Sequence, residues 1–592
     1  MRQFLITIAG VFVGLGLFVL ALPFVVIGVA QAFVRPAPVP SASVLVLDLR
    51  RGLTDQEAQS PLAALTGRSL SVIGIEDALR EADHDSRVKG LVVRLPDGGM
   101  EPGAADELRL AFKRFRASGK PILVYSQGIY DVGAAASTYA LATAGSELWM
   151  QDDASFQATG MADDAIFFKR FFDKHGVVAD FQQRYQYKTA INPYLYSDFT
   201  PAQREEDLSW MGSIFATALS EAAADRRMSE PKLQSIIEAG PYSAYDALAK
   251  GLIDKVGDLR TAEKTVLDKA GANAKLITLS SYARSSGPVL SSSGDPEVAV
   301  IFGEGDIVGG EGGGAPNPFG GGQAMHADAI ASAFYRAIED PKVKAIVFRI
   351  STPGGSDTAS EEIANAVSAA VAGGKPVVVS MGTYGASGGY WISAGASRIV
   401  AEPTTLTGSI GVFGGKFALG PALARFGIDI RTLDLGGDFT GAYSTAQPMS
   451  ATQRAAYSKM IDEIYNGFVA RVAAGRRLPI SEVAAIAKGR VWTGAQAVKL
   501  GLVDQLGGFY KAVGDAKTLA NLRGKIRLVP YNNQLSPFQS FVRALGGGVE
   551  GVRVLSALGE IAADPDARAL IGEIHDGELR AQGAAVLAPT RF

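Results

Sequence analysis

The sequence predicts an α/β protein made of two tandem βαβ-type copies that follow an N-terminal transmembrane helix. Short runs of β-branched residues alternate with amphipathic helical stretches, which is typical of parallel strands joined by crossover helices. Blocks from the first half of the chain recur in the same order in the second half, and this indicates an internal duplication. A long uncharged stretch at the N-terminus predicts the membrane helix.

The first copy opens with a predicted strand at Ser43–Leu49. An amphipathic helix around Ile75–Glu81 follows and leads to strands at Gly90–Leu95 and Ile122–Tyr125. The second copy opens with a predicted strand at Val298–Phe302. Strands separated by helical segments of this length favour a parallel sheet in each copy.

Three collinear blocks carry the duplication. They pair A-L-R-E-A-D-H-D-S-R-V-K-G-L-V-V-R-L (78–95) with A-F-Y-R-A-I-E-D-P-K-V-K-A-I-V-F-R-I (333–350), G-K-P-I-L-V (119–124) with G-K-P-V-V-V (374–379), and A-L-A-K-G-L-I-D-K-V-G (247–257) with A-V-K-L-G-L-V-D-Q-L-G (497–507). Chance similarity between α/β segments does not explain three matches in one order, so we infer two diverged copies.

The chain therefore divides into five predicted segments. They are a membrane anchor with a Pro-rich spacer (1–42), the first copy (43–270), a Ser/Gly-rich linker (271–294), the second copy (295–534) and a C-terminal extension (535–592) with a helical tract at Pro537–Ala562. Inside the second copy, the Gly-rich stretch 303–322 predicts a mobile flap over a cleft. A phosphate-binding loop would need a following Gly-Lys-Ser/Thr, which this stretch lacks.

The anchor is the uncharged stretch Phe4–Val34, which is long enough to cross a bilayer with some tilt. Ala30-Gln31-Ala32 resembles a signal-peptide cleavage site, but the apolar region of a signal peptide spans only about 7–15 residues. We therefore favour an uncleaved anchor in contact with membrane lipid, with the bulk of the chain exported.

Composition excludes several classes of function. The net charge of −3 leaves no basic face for nucleic acid. The absence of cysteine excludes thiolate chemistry, and the four histidines (His84, His175, His326 and His575) form no pair with metal-ligand spacing. The sequence thus predicts neither a metal nor a cofactor.

The candidate nucleophile is Ser387, within G-T-Y-G-A-S-G-G-Y-W-I-S-A (382–394). The stretch follows the β-branched run V-V-V-S (377–380) and leads into an apolar segment with helical character. A strand, small-residue turn and helix can hold one hydroxyl in a cleft, and the amide after the serine can face a developing oxyanion. The corresponding part of the first copy, 132–139, has alanine near position 136.

A base for Ser387 could be histidine or lysine. Residues 387–574 contain no histidine, although His326 leaves a Ser-His-Asp triad open, since partners meet in space. The lysine candidate is Lys188, in Q-R-Y-Q-Y-K-T-A-I-N-P-Y (183–194). To act near neutral pH, its pKa must fall by roughly 3 units, which is equivalent to about 4 kcal/mol.

The neighbours of Lys188 are compatible with that shift. Tyr185, Tyr187, Ile191 and Tyr194 are expected to surround the amine with aromatic and apolar surface. The nearest acids in sequence, Asp180 and Asp198, lie 8 and 10 residues away. Burial without an acidic partner lowers the pKa of a lysine. The corresponding second-copy segment, 433–443, has no lysine, so each copy keeps one half of a serine–lysine pair.

With these motifs the chain resembles the long, duplicated form of the signal peptide peptidase A (protease IV) family, of the ClpP/crotonase superfamily. The matching motifs, which lie in a resemblance over about 43–525, are S-T-P-G-G-S (351–356), K-P-V-V-V-S-M-G (375–382), A-S-G-G-Y-W-I-S (386–393), T-G-S-I-G-V-F (407–413) and Y-K-T-A (187–190). The family often has glycine and glutamate where this chain has Tyr185 and Asn192.

The resemblance implies a ClpP/crotonase-like fold for each copy and a role for each site residue. Ser387 is the implied nucleophile and Lys188 the implied general base, while Ser409 orients the lysine. Gly355 and Gly388 are the implied oxyanion amides.

The resemblance also implies substrates, assembly and location. The substrates would be signal peptides and other apolar peptides, and the protein would form a homotetramer. It would have one span in the inner (cytoplasmic) membrane and its catalytic part on the exported side. Two alternatives remain at this point, namely a crotonase-like enzyme acting on acyl-CoA and a catalytically inactive membrane scaffold.

Overall fold

The computed structural model describes residues 38–56, 71–286, 296–311 and 324–532. The predicted anchor at Phe4–Val34, most of the predicted flap and the helical tract at Pro537–Ala562 lie outside these residues. Within the described ranges, no helix combines the length and the apolar character that a membrane span requires.

The first copy is built on a parallel sheet. Its strands are β1 (Ser43–Asp48), β2 (Val88–Arg94), β3 (Ile122–Ser126), β4 (Glu147–Met150), β5 (Ser155–Phe156), β6 (Val178–Gln183), β7 (Tyr242–Ser243), β8 (Lys255–Val256) and β9 (Lys275–Thr278). Six of them form one parallel sheet in the order β8-β4-β3-β2-β1-β9. The central strands are buried on both faces, which explains their continuous apolar runs.

Helices connect the strands of the first copy. They are α1 (Val72–His84), α2 (Pro102–Ala117), α3 (Ala135–Thr143), α4 (Lys169–His175), α5 (Asn192–Leu195), α6 (Pro201–Arg226), α7 (Glu230–Glu238), α8 (Ala244–Ala249), α9 (Leu259–Ala270) and α10 (Leu279–Ser286), with a 3₁₀ turn at Thr189–Ile191. Side-chain caps fix several starts: Ser71 accepts from the Gly74 amide, and Thr200 accepts from the Gln203 amide.

The second copy repeats the arrangement. Its strands are β10 (Glu297–Glu304), β11 (Asp306–Val308), β12 (Ala324–His326), β13 (Val343–Thr352), β14 (Val377–Ala386), β15 (Arg398–Ala401), β16 (Leu406–Gly408), β17 (Phe413–Ala418), β18 (Val491–Thr493), β19 (Gln505–Leu506) and β20 (Arg527–Pro530). The main sheet runs β18-β16-β14-β13-β10-β20, and β15 and β19 extend it beside β14. The pairs are parallel except for β16 with β18.

Its helices are α11 (Ala327–Glu339), α12 (Asp357–Ala372), α13 (Gly388–Ser393), α14 (Gly420–Ala424), α15 (Ala451–Arg476), α16 (Ile480–Ile486), α17 (Gly494–Ala497) and α18 (Phe509–Leu519). The two copies match in detail, since α6 and α15 both span 26 residues and both end at an arginine in the left-handed conformation. The α/β duplication predicted from the sequence is confirmed.

The predicted linker is partly wrong. Residues Lys275–Thr278 form the edge strand β9, which pairs with β1, and α10 follows directly. Leu279 and Tyr282 are buried in the first-copy core. Ser280, Ser281 and Ser285 lie on this amphipathic helix, whose apolar residues pack on the first copy, so composition alone was misleading here.

One pair of strands crosses from copy to copy. Strand β6 of the first copy pairs antiparallel with β17 of the second, with Gln183 opposite Phe413 and Val178 opposite Ala418. Within this pair, the Asp180 carboxylate accepts a hydrogen bond from the Met449 amide at 2.6 Å and forms an ion pair with Arg454. This ladder fixes the loop that follows β6 against the second copy.

A buried ionic cluster also joins the copies. Arg349, on β13, is 1% exposed. Its guanidinium donates to both carboxylate oxygens of Asp55 at 2.9 and 2.5 Å, to Glu107 at 2.8 Å and to Ser380 at 3.0 Å. Asp55 and Glu107 belong to the first copy, so the cluster holds opposite charges together across the junction.

We expect Arg349→Ala to lower the free energy of unfolding by about 3–5 kcal/mol, because the substitution leaves two carboxylates buried without their cation. Arg50→Ala is the matched control, since Arg50 forms a partly exposed ion pair with Asp48. That control should cost less than about 1 kcal/mol. Denaturation followed by circular dichroism measures both, and equal losses would contradict a special role for the buried cluster.

Candidate active site

Ser387 lies at the point where β14 ends and α13 begins. It has φ 53° and ψ −117°, outside the ordinary strand and helix regions. Its amide donates to the Gly408 carbonyl at 2.9 Å, which ties the turn to the end of β16. A positive φ is strained for a residue with a side chain, and such strain is concentrated at functional turns. The turn places the hydroxyl at the carboxyl end of a parallel sheet.

Lys188 comes from the first copy and reaches this hydroxyl. It lies on the loop after β6, directly before the 3₁₀ turn, and it is 4% exposed. Its Nζ is 2.9 Å from Ser387 Oγ, 2.9 Å from Ser409 Oγ and 3.1 Å from the Ser409 carbonyl oxygen. The structure thus brings together three of the residues that the sequence singled out, from both copies.

The lysine stem is held by glycines of the second copy. A Cβ on Gly489 would lie 2.5 Å from Lys188 N and 2.7 Å from its Cα, and a Cβ on Gly411 would lie 3.2 Å from its Cδ. Hydrogen bonds from Tyr187 N to the Lys488 carbonyl and from Arg184 N to the Val412 carbonyl fix the loop on both sides. The close approach of two backbones therefore encloses the side chain.

The tyrosines that the sequence placed around Lys188 have other principal contacts. Tyr185 is 50% exposed and packs on Tyr465. Tyr194 lies in a ring cluster with Phe181 and Phe417 at the β6–β17 junction. Of the predicted neighbours, Ile191 is buried.

Burial lowers the pKa of Lys188 to about 8, whereas the nearby charge of Glu206 acts to raise it. A buried site disfavours the ammonium more than the neutral amine, which explains the direction. The neutral fraction therefore grows as the pH rises through about 8, where an ordinary lysine would still be almost fully charged.

Ser409 and its neighbours orient the amine. Ser409 has φ 47°, and its amide donates to the Arg490 carbonyl at 2.8 Å. This position turns both its hydroxyl and its carbonyl oxygen toward Lys188 Nζ. With Ser387 Oγ as a third partner, the amine is held in one direction.

Gly355 and Gly388 lie beside Ser387. A Cβ on Gly388 would be 3.1 Å from Gly355 N, and a Cβ on Gly354 would be 2.7 Å from Gly388 N. Gly388 is the first residue of α13, so its amide has no intrahelical acceptor. Two amides from two different loops thus lie close together next to the hydroxyl, an arrangement that suits an oxyanion.

The other candidate base is not joined to the serine. His326 ends β12, and its Nδ1 is buried without a hydrogen-bond partner in the part of the chain that the structure describes. The same ranges hold no cluster of side chains that could bind a metal ion.

Two features of the site were missed by the sequence analysis. Glu206, the acidic residue whose charge acts on Lys188, is 18 residues away in the chain and lies on α6. Gly489 lies in the other copy, with φ 85°. A glycine close to the T-G-S-I-G motif in space but not in sequence carries no local signal, so only the tertiary structure identifies it.

The sequence of this chain is similar to those of known peptidases. A family model described as "Peptidase family S49" matches residues 114–273 and 369–523. "Protease 4" of Salmonella typhi is 33% identical over 513 residues, covering 81% of this chain and 78% of that protein. "Serine protease SPPA, chloroplastic" of Arabidopsis thaliana is 27% identical, covering 88% and 76%. "Putative signal peptide peptidase SppA" of Enterococcus faecium is 32% identical over 202 residues, 34% of this chain and 58% of that protein.

We expect Gly489→Ala to lower peptidase activity by about 100-fold or more, since the new methyl group would displace the Lys188 backbone and a shift near 1 Å is enough for such a loss. Gly119→Ala is the matched control, because Gly119 also has φ 85° but has open space around it. Steady-state kinetics on both variants separates the two effects. Equal losses would mean that backbone strain, and not contact with the lysine, is responsible.

Proposed function

This chain belongs to peptidase family S49 and is a serine peptidase. From this premise we propose that Ser387 and Lys188 form its catalytic dyad and that the enzyme degrades signal peptides at a membrane. The observation that carries the dyad is the 2.9 Å approach of Lys188 Nζ to Ser387 Oγ inside a buried site. The acyl-CoA enzyme and the inactive scaffold are set aside by the family assignment, whereas the resemblance inferred from the motifs is confirmed.

In the proposed acylation, neutral Lys188 accepts the Ser387 hydroxyl proton as Oγ attacks the peptide carbonyl. The tetrahedral oxyanion is then stabilised by the amides of Gly355 and Gly388, each worth roughly 3–4 kcal/mol. The Ser409 hydroxyl and carbonyl steady the new ammonium. Lys188 next gives its proton to the leaving amine, and an acyl-enzyme remains.

Deacylation uses the same groups in reverse. Lys188, neutral again, takes a proton from water, whose oxygen attacks the ester carbonyl of the acyl-serine. The oxyanion occupies the same two amides as before. Ser387 leaves as the alkoxide and recovers its proton from the lysine, which restores the starting state.

The substrate proposal rests on names and on chemistry. A relative in Enterococcus faecium carries the name of a putative signal peptide peptidase. A helix at Phe4–Val34 would hold the enzyme in the inner membrane with its catalytic part on the exported side, next to apolar peptides released in the bilayer. The same segment would provide the contact with membrane lipid.

We expect Ser387→Ala and Lys188→Ala each to lower cleavage of a Leu-rich peptide by at least about 10³-fold with folding intact, since removal of either dyad member abolishes nucleophile activation.

In the wild-type enzyme, kcat/KM should rise with pH along one limb centred near 8, because only the neutral amine accepts the proton. Labelling of Ser387 with a fluorophosphonate should follow the same limb. A Lys188→Ala variant with normal rates would refute the dyad.

We further propose that copies of this chain join head to tail into a closed ring, with four chains as the resemblance implies. The internal junction shows how units of this kind pair. Helix α4 is capped by Gly176 in the left-handed conformation, and Gly427 adopts the same conformation three residues after the end of α14, which aligns the two copies there. By that alignment, 429–434 in the second copy corresponds to β6, and 162–167 in the first corresponds to β17.

These two counterpart segments pair with no other strand among the residues that the structure describes, and both are largely exposed. Ile166 is 70% exposed and Leu433 fully exposed. If 429–434 of one chain paired with 162–167 of the next as β6 pairs with β17, Ile430 would lie opposite Ile166. Repeating one interface in this way generates a ring when the rotation closes.

The dyad residues fit this arrangement. At a junction between chains, the serine turn would come from the first copy and the lysine loop from the second. The first copy has Ala136 where the second has Ser387, and the second copy has Asp438–Phe439 in place of the lysine. Both halves of the site are thus absent at the same proposed junction, which leaves one dyad per chain.

We expect Ile166→Asp and Leu433→Asp each to convert the ring to smaller species in native mass spectrometry, because a charge would enter the shared strand pair. A mixture of the two variants should form dimers through its one intact junction. Ile480→Asp is the control, since Ile480 is 62% exposed at the start of α16, outside both segments. Unchanged assembly in both variants would contradict the proposed interface.

A further inference from the structure

One buried acid near the dyad has no role in the chemistry described above. Glu206, on α6, is 1% exposed. Its carboxylate accepts a hydrogen bond from Val491 N at 2.6 Å and one from Thr189 Oγ1 at 3.3 Å. Thr189 follows Lys188 directly, so the acid contacts the lysine loop.

The second contact leads to the other side of the amine. Val491 follows Arg490, whose carbonyl accepts from the Ser409 amide. Ser409 in turn holds Lys188 Nζ. Glu206 therefore connects the segment that carries the base to the segment that orients it.

Glu206 forms no ion pair with a cation in the ranges that the structure describes. Arg490 directly precedes β18, and its guanidinium pairs with Glu205 at 2.8 Å and not with Glu206. Glu205 also accepts a hydrogen bond from the Tyr187 hydroxyl. Asp207, on the same helix, accepts from Trp210 Nε1. The charge of Asp207 acts to raise the pKa of Glu206 and that of Arg490 to lower it, while the charge of Glu206 acts to raise the pKa of Lys188.

We propose that Glu206 is a positioning residue that holds the lysine loop and whose charge state sets the pH at which the base becomes available. This inference rests on the proposed dyad. When Glu206 is ionised, its negative charge favours the ammonium form of Lys188 and delays release of the base. When Glu206 holds the proton, the amine is neutral more readily and the two hydrogen bonds still define its position.

The electrostatics of the two groups agree with this coupling. Burial raises the pKa of Glu206 to about 8, and burial lowers the pKa of Lys188 to about 8, so both titrate in one range. Two interacting groups of this kind lose their protons in steps that belong to the pair. Attraction between carboxylate and ammonium stabilises the charged pair, and this moves deprotonation of the amine to higher pH.

The test compares Glu206→Gln, Glu206→Ala and Glu205→Gln with the wild-type enzyme. Glutamine keeps an oxygen acceptor for Val491 N but cannot ionise. We expect Glu206→Gln to move the midpoint of the kcat/KM–pH limb at least half a unit toward acid, which is about a threefold gain below the limb. Its high-pH plateau should stay within about threefold of the wild-type value, as expected for a residue outside the reacting atoms.

The other two variants separate position from charge. Glu206→Ala leaves the Val491 amide without its acceptor and should lower the plateau by about tenfold or more, a loss that the glutamine variant restores. Glu205→Gln removes an exposed acid from the same helix and should leave the midpoint where it is.

Fluorophosphonate labelling of Ser387 across pH gives a second measurement that needs no peptide substrate. A Glu206→Gln midpoint equal to wild type by both measurements, or a variant inactive at every pH, would overturn the role of Glu206 and leave the dyad standing. A Lys188→Ala variant with normal rates would instead remove the dyad itself. The two failures are therefore distinguishable.

Discussion

The structure depends on keeping one amine out of water without a strong acidic partner. The pKa of Lys188 lies near 8, compared with an ordinary 10.5. Below pH 8 the unfolded chain carries a solvated ammonium, whereas the folded state must bury that charge or release its proton. This difference lowers the free energy of unfolding by about 3 kcal/mol, at 1.36 kcal/mol per pKa unit. The cost fades as the pH rises from 8 toward 10.5, because the unfolded chain then loses the proton too. The rest of the fold must offset this cost near neutral pH.

The junction between the two copies provides that offset. The ladder between β6 and β17 fixes the lysine loop along six residue pairs. The Arg349 cluster joins β13 of the second copy to two acids of the first. Gly489 and Gly411 then allow backbone and side chain to approach closely, and Lys188 is left 4% exposed. The amine is buried because two large surfaces meet around it, not because its own loop is apolar.

The sequence predicted the features that depend on neighbouring residues, but not the contacts between residues that are far apart in the chain. The small residues around Ser387 indicated a turn between a strand and a helix, and the repeat predicted both sheets. The split of serine and lysine between copies pointed to a shared site. Local sequence patterns could not reveal Glu206, which lies on α6, 18 residues from the lysine on which its charge acts. They could not reveal Gly489 either, because it contacts Lys188 from the other copy. They also misassigned Lys275–Thr278, since a short edge strand next to a serine-rich stretch resembles a linker until the sheet it joins is known.

The divergence of the copies follows from the cost of the site. Tyr139 and Tyr390 each donate to an equivalent carbonyl, Leu252 and Leu502, and this places Ala136 where the second copy has Ser387. Ala136 lies inside α3, in ordinary helical geometry, whereas Ser387 is held at positive φ. Strain and buried charge each destabilise a fold by kcal/mol amounts. A duplicated chain can keep both at the junction within the chain and lose both at the proposed junction between chains, because a nucleophile without its base, or a base without its nucleophile, brings the cost with no catalysis.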